Sequence, residues 1–399
     1  MYILINMRIL FAATPAFGHV LPLLPLARAF HARGHHVGFA TGPGLAPVVE
    51  PEGFELLPAG PMPDVLMAEV AKRTGGDPSG NPTPETVGEF FAGTRLDLGA
   101  DEALAAAAYF APDLIVNEMC DFIGPLIATS LGMPLATLVF GPAIPQPMLV
   151  GMTAAAAPRY IERGMTPPAV TPSGRWLLDT CPPSLQFEGV TWPTERIALR
   201  PEPHQAVVPG VGAPTTGLPA KHGAAEPRPD WTRPRVLVTF GTFFGDPGVV
   251  GPLLKELSGL NVGLSSTLGL DGKAEDYDLD PQRVELVPFV PMSQLLDGVS
   301  AVVTHGGAGT TLGALARGIP LVVIPQGADQ FVQADRVVAA GAGLALPPDH
   351  YSPHTAAWLL SRVLTEPGFT ANARRIRDEI AAMSSPDEVA GRLEAALAE

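Results

Sequence analysis

The sequence predicts an α/β protein of two doubly wound, Rossmann-like halves, each built on a parallel sheet, with the two sheets facing across a central cleft. Three observations carry this expectation. The chain has 399 residues, a comfortable length for two domains. A strand–turn–helix–strand rhythm runs through the first half, stops in a Pro/Gly/Ala-rich stretch between Pro201 and Pro234, and restarts beyond it. Glycine-containing turns follow apolar strands in both halves, and in open sheets the carboxyl ends of strands line the ligand crevice.

In chain order, Arg8 to Ala13 reads as a buried first strand and Thr14 to His19 as the loop after it. Leu23, Leu26, Ala27 and Phe30 then repeat at helical spacing. Pro22 and Pro25 are tolerable only near a first helical turn, and Gly34 stands where a C-terminal cap belongs. His36 to Thr41 is the second strand. A third strand fits Asp113 to Asn117, a helix Gly124 to Leu131, and a fourth strand Pro134 to Val139. From Gly141 to about Ser184 clean periodicity is lost, which predicts mobile loops and short helices walling a pocket. The second half predicts strands over Arg235–Phe240, Val284–Val287, Ala301–Thr304 and Leu321–Ile324, and helices over Val249–Leu257 and Thr311–Arg317. The tail from Pro353 to Glu399 reads as wholly helical. These elements divide the chain into a domain over 1–204, a linker over 205–233 and a domain over 234–399, with the last helix available to pack back on the first domain.

Composition narrows the function. At 46% hydrophobic and 16% charged residues the chain can bury large cores. Its 43 glycines and 45 prolines are spread among apolar runs, so they predict many loops. A net charge of −15 makes nucleic acid and membrane surfaces poor partners. A small phosphorylated ligand fits, because a local cluster of backbone N–H groups can hold it. Cys120 and Cys181 form no disulfide framework or zinc spacing, which suits a reducing cytoplasm. Arg8 lies inside the N-terminal apolar run, unlike the leading basic residues of a signal peptide. Met1 to Asn6 reads as an extension or a misassigned start, with Met7 the other candidate. No segment approaches the roughly 18 uninterrupted apolar residues of a membrane helix.

The strongest motif is His305-Gly306-Gly307-Ala308-Gly309-Thr310-Thr311. A strand ends, glycines follow, and a helix begins. Glycines let backbone approach a ligand, and a helix start offers unpaired N–H donors to a pyrophosphate. The plain reading is a tight turn with a capping Thr; the adjoining His and two Thr favour phosphate. The third glycine of a dinucleotide fingerprint and the Lys of a Walker loop are both missing. After the next strand comes Pro325-Gln-Gly-Ala-Asp329-Gln330, whose Asp329 and Gln330 suit adjacent sugar hydroxyls, or simply a turn and cap. Gly241 and Thr242 end the first strand of the second half, and Phe289-Val290 follows another. In the first half His19 follows the first strand and can take a proton from a hydroxyl near neutral pH. Such a His needs a carboxylate to orient it. Glu118 and Asp121 are candidates at the third strand's carboxyl end; Asp113, at its far end, is the poorer one. The plain reading of both is charge matching at a helix start.

At these residues the sequence resembles inverting glycosyltransferases of the two-Rossmann GT-B fold. Gly18-His19 looks like their catalytic-histidine turn, and His305 through Phe331 resembles their donor-binding signature. The resemblance is nearest to bacterial natural-product glycosyltransferases, which glycosylate polyketides, macrolides and related antibiotics, often from dTDP-deoxysugars. It implies His19 as general base, with Glu118 or Asp121 as its acidic partner. It implies that His305, Gly306 and Gly307 to Thr311 hold a diphosphate, that Asp329 and Gln330 hold sugar hydroxyls, that Gly241 and Thr242 face the donor, and that Val290 faces the nucleobase. It implies a dTDP- or UDP-sugar as co-substrate, direct displacement with inversion, and no metal or other cofactor. Phe, Met, Leu and Trp176 between Gly141 and Ser184 point to a small apolar acceptor. The expected partners are therefore donor and acceptor, without nucleic acid or stable membrane insertion; a homodimer is left open. The alternatives are a nucleotide-sugar epimerase or hydrolase on the same architecture, and a non-catalytic homologue.

Overall fold

The computed structural model describes residues 6–80, 82–169, 173–203, 233–241, 245–269, 272–288 and 290–398. Nearly all of the expected linker (204–232), most of the N-terminal extension (1–5), Thr242 and Phe289 lie outside the described residues.

The first sheet has seven strands, all parallel: β1 (Arg8–Ala12), β2 (His36–Thr41), β3 (Glu55–Pro58), β4 (Leu114–Glu118), β5 (Leu135–Val139), β6 (Trp176–Asp179) and β7 (Glu195–Ala198), in the order β3-β2-β1-β4-β5-β6-β7. The second has six: β8 (Arg235–Thr239), β9 (Gly263–Thr267), β10 (Val284–Val287), β11 (Ala301–Thr304), β12 (Leu321–Val323) and β13 (Gly343–Ala345), in the order β10-β9-β8-β11-β12-β13, again parallel. Every residue of β4 and β5 is buried, as expected for strands covered by helices on both faces. In each sheet the winding reverses once. One reversal lies between β1 and β4, in register Ala12 to Asn117; the other lies between β8 and β11, in register Thr239 to Thr304. The carboxyl ends of the strands at such a reversal diverge into a crevice.

Several expected elements change. The stretch after Gly141 is not mainly loop. It forms a 17-residue helix, Gln146–Glu162, and then β6. Pro147 near its start and Pro158 inside it hide the helix in the sequence. Trp176 belongs to β6 and is 3% exposed, so it is a core residue and not a pocket wall. The third strand read from the sequence runs one residue further, which makes Glu118 its last member. The segment before Phe30 is broken into Phe17–Val20, the 3-10 turn Leu21–Leu23 and the helix Leu24–Ala32. Pro22 and Pro25 sit in the first turns of the latter two pieces, where a missing N–H costs nothing. The helix after β11 begins at Ala308 and ends at Leu315, three and two residues earlier than the pattern suggests. The tail is three helices, Pro353–Thr365, Pro367–Ala381 and Pro386–Leu397.

The chain forms two compact units. One comprises Met1–Cys181, Gln186–Pro201 and Ala382–Glu399; the other comprises Pro182–Leu185 and Glu202–Ala381. The last helix therefore belongs to the first unit. There Arg33 Nε and Nη2 donate to the two carboxylate oxygens of Glu394 at 2.6 and 2.7 Å, and His35 Nε2 stands 2.6 Å from the same carboxylate.

Candidate active site

In the first unit the reversal between β1 and β4 carries His19 and Glu118. His19 sits in the short helix Phe17–Val20 just beyond β1, and Glu118 closes β4. His19 Nδ1 lies 3.1 Å from Glu118 Oε1, with the carboxylate fully buried and the imidazole 18% exposed. The remaining Glu118 contacts are backbone donors: Thr14 N–H reaches Oε1 at 3.2 Å and Cys120 N–H reaches Oε2 at 2.6 Å. Burial alone would push this carboxyl up. The His19 charge, contact with its ring and the two N–H donors outweigh burial and hold the carboxyl below its ordinary range.

Asp121 has a different task. Its Oδ2 accepts from Gly124 N–H at 2.6 Å, so it closes the turn into the helix Ile123–Leu131. Asn117 donates to the Glu118 and Asp121 carbonyls at 3.0 and 2.9 Å and holds the same turn. Burial, with the negative charge of Glu118, pushes the Asp121 carboxyl up to about 6 against the pull of Arg95. Of the two expected acidic partners the structure places Glu118 on His19 and Asp121 on a helix start.

Sequence reasoning missed three neighbours. The rings of Phe91 and Phe140 each stand 5.4 Å from the His19 ring, Phe140 edge-on. Phe91 comes from a π-helical turn, Glu89–Gly93, inserted before the helix Thr94–Phe110. Such inserted turns carry no sequence signature. Arg95, the third, is fully buried and donates to the Ala13 and Ala59 carbonyls just beyond β1 and β3. The donor atoms of His19, Glu118 and Cys120 also lie within 4.8 Å of one another, a mixed N/O/S set able to hold a metal ion.

In the second unit the reversal between β8 and β11 carries Gly241 and His305. Gly241, at φ +69, and Gly307 make room for the His305 ring: a Cβ on the former would stand 2.8 Å from Cε1, and one on the latter 2.7 Å from Nε2. Gly306, at φ +96, lies against Val323, where a Cβ would come within 2.6 Å. Burial pushes the His305 ring down to about 4, with the Thr239 carbonyl pulling weakly the other way. The ring is therefore neutral at pH 7. Gly307 is the N-cap of the helix Ala308–Leu315 and no side chain caps it, so the Thr reading as a cap is wrong. Ala308, Gly309 and Thr310 occupy the first turn, whose N–H groups have no intrahelical acceptor. A Cβ on Gly309 would meet nothing within 4 Å. Thr310 and Thr311 are buried, and the Thr311 hydroxyl has no hydrogen-bond partner among the described residues.

The loop after β12 is held from within. Gln330, 2% exposed, accepts from Gln326 and Gly327 N–H through Oε1 at 2.7 and 3.1 Å. Ala328 stands at φ +53, a strained left-handed conformation for a residue with a Cβ. Asp329 precedes the helix Gln330–Ala339 and is exposed. Val290 is half-buried after β10. Among the described residues no helix is long and apolar enough to cross a membrane.

Residues 28–198 match the N-terminal domain, and residues 266–396 the C-terminal domain, of the erythromycin biosynthesis protein CIII-like family. The elloramycin glycosyltransferase of Streptomyces olivaceus is 33% identical over 415 aligned positions, covering 98% of this chain and 97% of that one. A glycosyltransferase of Streptomyces sp. SF2575 complexed with thymidine diphosphate superposes with a TM-score of 0.77 at 28% identity, over 97% of this chain and 99% of the other. Spinosyn rhamnosyltransferase complexed with spinosyn aglycone gives 0.78 at 26%, over 97% and 100%. Two doubly wound parallel sheets with these neighbours define a glycosyltransferase of the GT-B fold. The chain belongs to the erythromycin biosynthesis protein CIII-like family and is a bacterial natural-product glycosyltransferase.

Proposed function

We propose that this enzyme moves a hexose or deoxyhexose, with inversion, from a dTDP- or UDP-sugar to a hydroxyl of a small apolar natural-product aglycone in the cytoplasm. The observation that carries the reading is the contact between His19 Nδ1 and the buried Glu118 carboxylate. Glu118 orients the ring through Nδ1, which assigns proton acceptance to Nε2. The acceptor O–H gives its proton to Nε2 as its oxygen attacks the anomeric carbon. The bond from that carbon to the diphosphate breaks, and the electron pair leaves with the diphosphate.

The donor is assigned to the second unit. The N–H groups opening Ala308–Leu315 and the hydroxyls of Thr310 and Thr311 are suited to the leaving charge. His305, neutral and wedged by two glycines, shapes the turn and serves as a donor without positive charge. Asp329 takes a sugar hydroxyl, while the inward bonds of Gln330 make it chiefly the brace of that loop. No step calls for a metal. The thymidine diphosphate and aglycone complexes of the neighbours named above support the substrate classes. Phe91 and Phe140 beside His19 favour an apolar, ring-bearing acceptor.

The deciding experiment incubates the enzyme and His19→Ala with dTDP- and UDP-sugars and a panel of polyketide-like acceptors. Glycoside mass and released diphosphate are followed. Turnover of the variant is expected to fall by about 10²-fold or more, with nucleotide diphosphate binding retained. Undiminished turnover would remove His19 from the chemistry.

A further inference from the structure

Residues 84–110 form one continuous helical run: Pro84–Gly88, the π-helical turn Glu89–Gly93, and Thr94–Phe110. A π turn holds one residue more than an α turn, so it breaks the regular register of side chains, and such turns gather at functional sites. This one is held from several directions. Thr83 and Thr86 close a capping box at the start of the run. Glu89 Oε2 accepts from the Thr94 hydroxyl at 3.2 Å and from Arg73 Nη1 at 3.3 Å, and Arg159 Nη2 stands 3.8 Å from Oε1. Both arginines also reach Asp97, at 2.7 and 2.8 Å. The Glu89 carboxylate occupies the space of a missing side chain: a Cβ on Gly93 would stand 2.5 Å from its Oε2. Gly88 and Gly151 let the run meet the helix Gln146–Glu162 backbone to backbone, since a Cβ on Gly88 would come within 2.6 Å of the Gly151 carbonyl oxygen.

The turn places two neighbouring rings in different surroundings. Phe90, 7% exposed, packs with Leu66 and Val70. Phe91 meets it edge to face, with centroids 4.9 Å apart, and stands 5.4 Å from the His19 ring. Phe140, the other ring beside His19, follows β5 and is 6% exposed. Phe91 is half-buried, as is the His19 ring itself. Of the two rings beside the base, Phe91 is therefore the one that can offer a face to a bound molecule. A flat apolar ring is stabilised against such a face by area and by the ring quadrupole.

We propose that Phe91 is a specificity-determining residue for the acceptor: a flat, ring-bearing acceptor lays its ring on Phe91 with its hydroxyl at His19 Nε2, and the π turn stapled by Glu89 sets the distance between the two. The proposal rests on the reading of His19 as general base toward an apolar, ring-bearing acceptor. Glu89 and Gly93 act through Phe91 and are positioning residues. A displacement of the ring by about 1 Å takes the acceptor hydroxyl out of line with the base and costs up to about 10²-fold in rate. All of these residues belong to the first unit, whereas the donor is assigned to the second, so a change at Phe91 falls on the acceptor.

The test is steady-state kinetics of the full chain with two acceptors, a flat polycyclic phenol and a macrolactone alcohol without aromatic rings. The proteins are wild type, Phe91→Leu, Phe91→Tyr, Gly93→Ala and His19→Ala, with circular dichroism and thermal unfolding as the check on folding. Phe91→Leu keeps the bulk and loses the aromatic face; its KM for the phenol is expected to rise by about fivefold, with a smaller change for the macrolactone and none in the donor KM. Phe91→Tyr restores the phenol KM. Gly93→Ala leaves every ring in the chain and displaces Glu89, so kcat with the phenol is expected to fall by about tenfold, more than with the macrolactone, at unchanged donor KM. That split decides the matter if Phe91→Leu folds poorly. Equal losses with both acceptors for Phe91→Leu, or an unchanged phenol KM, overturn the proposal and leave Phe91 a packing residue of the His19 ring. A wild type that glycosylates only the macrolactone overturns it too, and unaltered kinetics of Gly93→Ala overturn the role of the π turn. Undiminished turnover by His19→Ala, or no turnover of either acceptor by wild type, overturns the reading on which the proposal rests, an outcome separate from the behaviour of Phe91.

Discussion

His19 Nδ1 stands 3.1 Å from Glu118 Oε1, joining the ends of two neighbouring parallel strands through one half-open imidazole and one fully buried carboxylate. A buried carboxylate beside one face of the ring sets its tautomer and offsets the charge it gains in the reaction. Glu118→Gln keeps the size and loses the charge. Its kcat is expected to fall by about 10²-fold with KM for the donor nearly unchanged. Steady-state kinetics with the donor varied at saturating acceptor checks this; a change confined to KM would count against the role.

Two glycines of the donor turn should behave oppositely. A methyl group on Gly307 runs into the buried His305 ring, so Gly307→Ala should lose about 1–3 kcal/mol of stability. Gly309 faces open space within the first helical turn, so Gly309→Ala should be neutral or stabilising by up to about 1 kcal/mol. If the turn grips a diphosphate, Gly309→Ala still weakens thymidine diphosphate binding by about tenfold or more, because its methyl stands where the ligand approaches. Thermal unfolding and calorimetric titration separate the two effects. Undisturbed binding by Gly309→Ala would place the ligand elsewhere.

The depressed His305 implies an acid limit to stability. Its ring takes a proton near 4 in the folded protein and near 6.5 in the unfolded chain. Between those values the unfolded chain binds the extra proton, so the contribution is fully present above about pH 6.5 and is lost as pH falls toward 4, up to about 3 kcal/mol. Asp121, pushed up to about 6, works in the other direction over much of the same window. The difference between wild type and His305→Gln isolates the first effect. The difference between their unfolding free energies should be constant above pH 6.5 and shift against wild type as pH falls toward 4.5; parallel curves throughout would mean that the ring titrates normally.

His19, Glu118 and Cys120 offer a nitrogen, an oxygen and a sulfur within 4.8 Å, while the proposed transfer is written without an ion. Chelation with EDTA should leave turnover unchanged. Added Zn²⁺, which favours this donor set, should inhibit by occupying the base. Cys120→Ala should raise the inhibitory concentration by about tenfold or more while keeping basal activity within a few-fold. Loss of turnover on chelation would instead place a metal in the reaction.

Much of this architecture is legible before any coordinates. β1, β2, β5, β8, β10 and β11 announce themselves as apolar runs bounded by turn residues, because a parallel strand is buried on both faces. Some short or polar strands are not legible. β9 is Gly-Leu-Ser-Ser-Thr, and β13 has three residues; partners on either side hold them in place. Helix Gln146–Glu162 escaped because its two prolines mimic a loop.

The chemistry divides along the same line. Residue types and local spacing in one dimension name a His after the first strand, two acids at the carboxyl end of the strand read over Asp113 to Asn117, and a glycine turn entering a helix, because each depends on its immediate neighbours in the chain. Which acid meets the His, that Asp121 instead closes a helix, that Gln330 turns inward, and that Arg95 reaches the Ala13 and Ala59 carbonyls depend on packing among segments far apart in the chain. Burial, unreadable along a single strand of text, sets the charge states there: it makes His305 neutral and Asp121 reluctant to ionise.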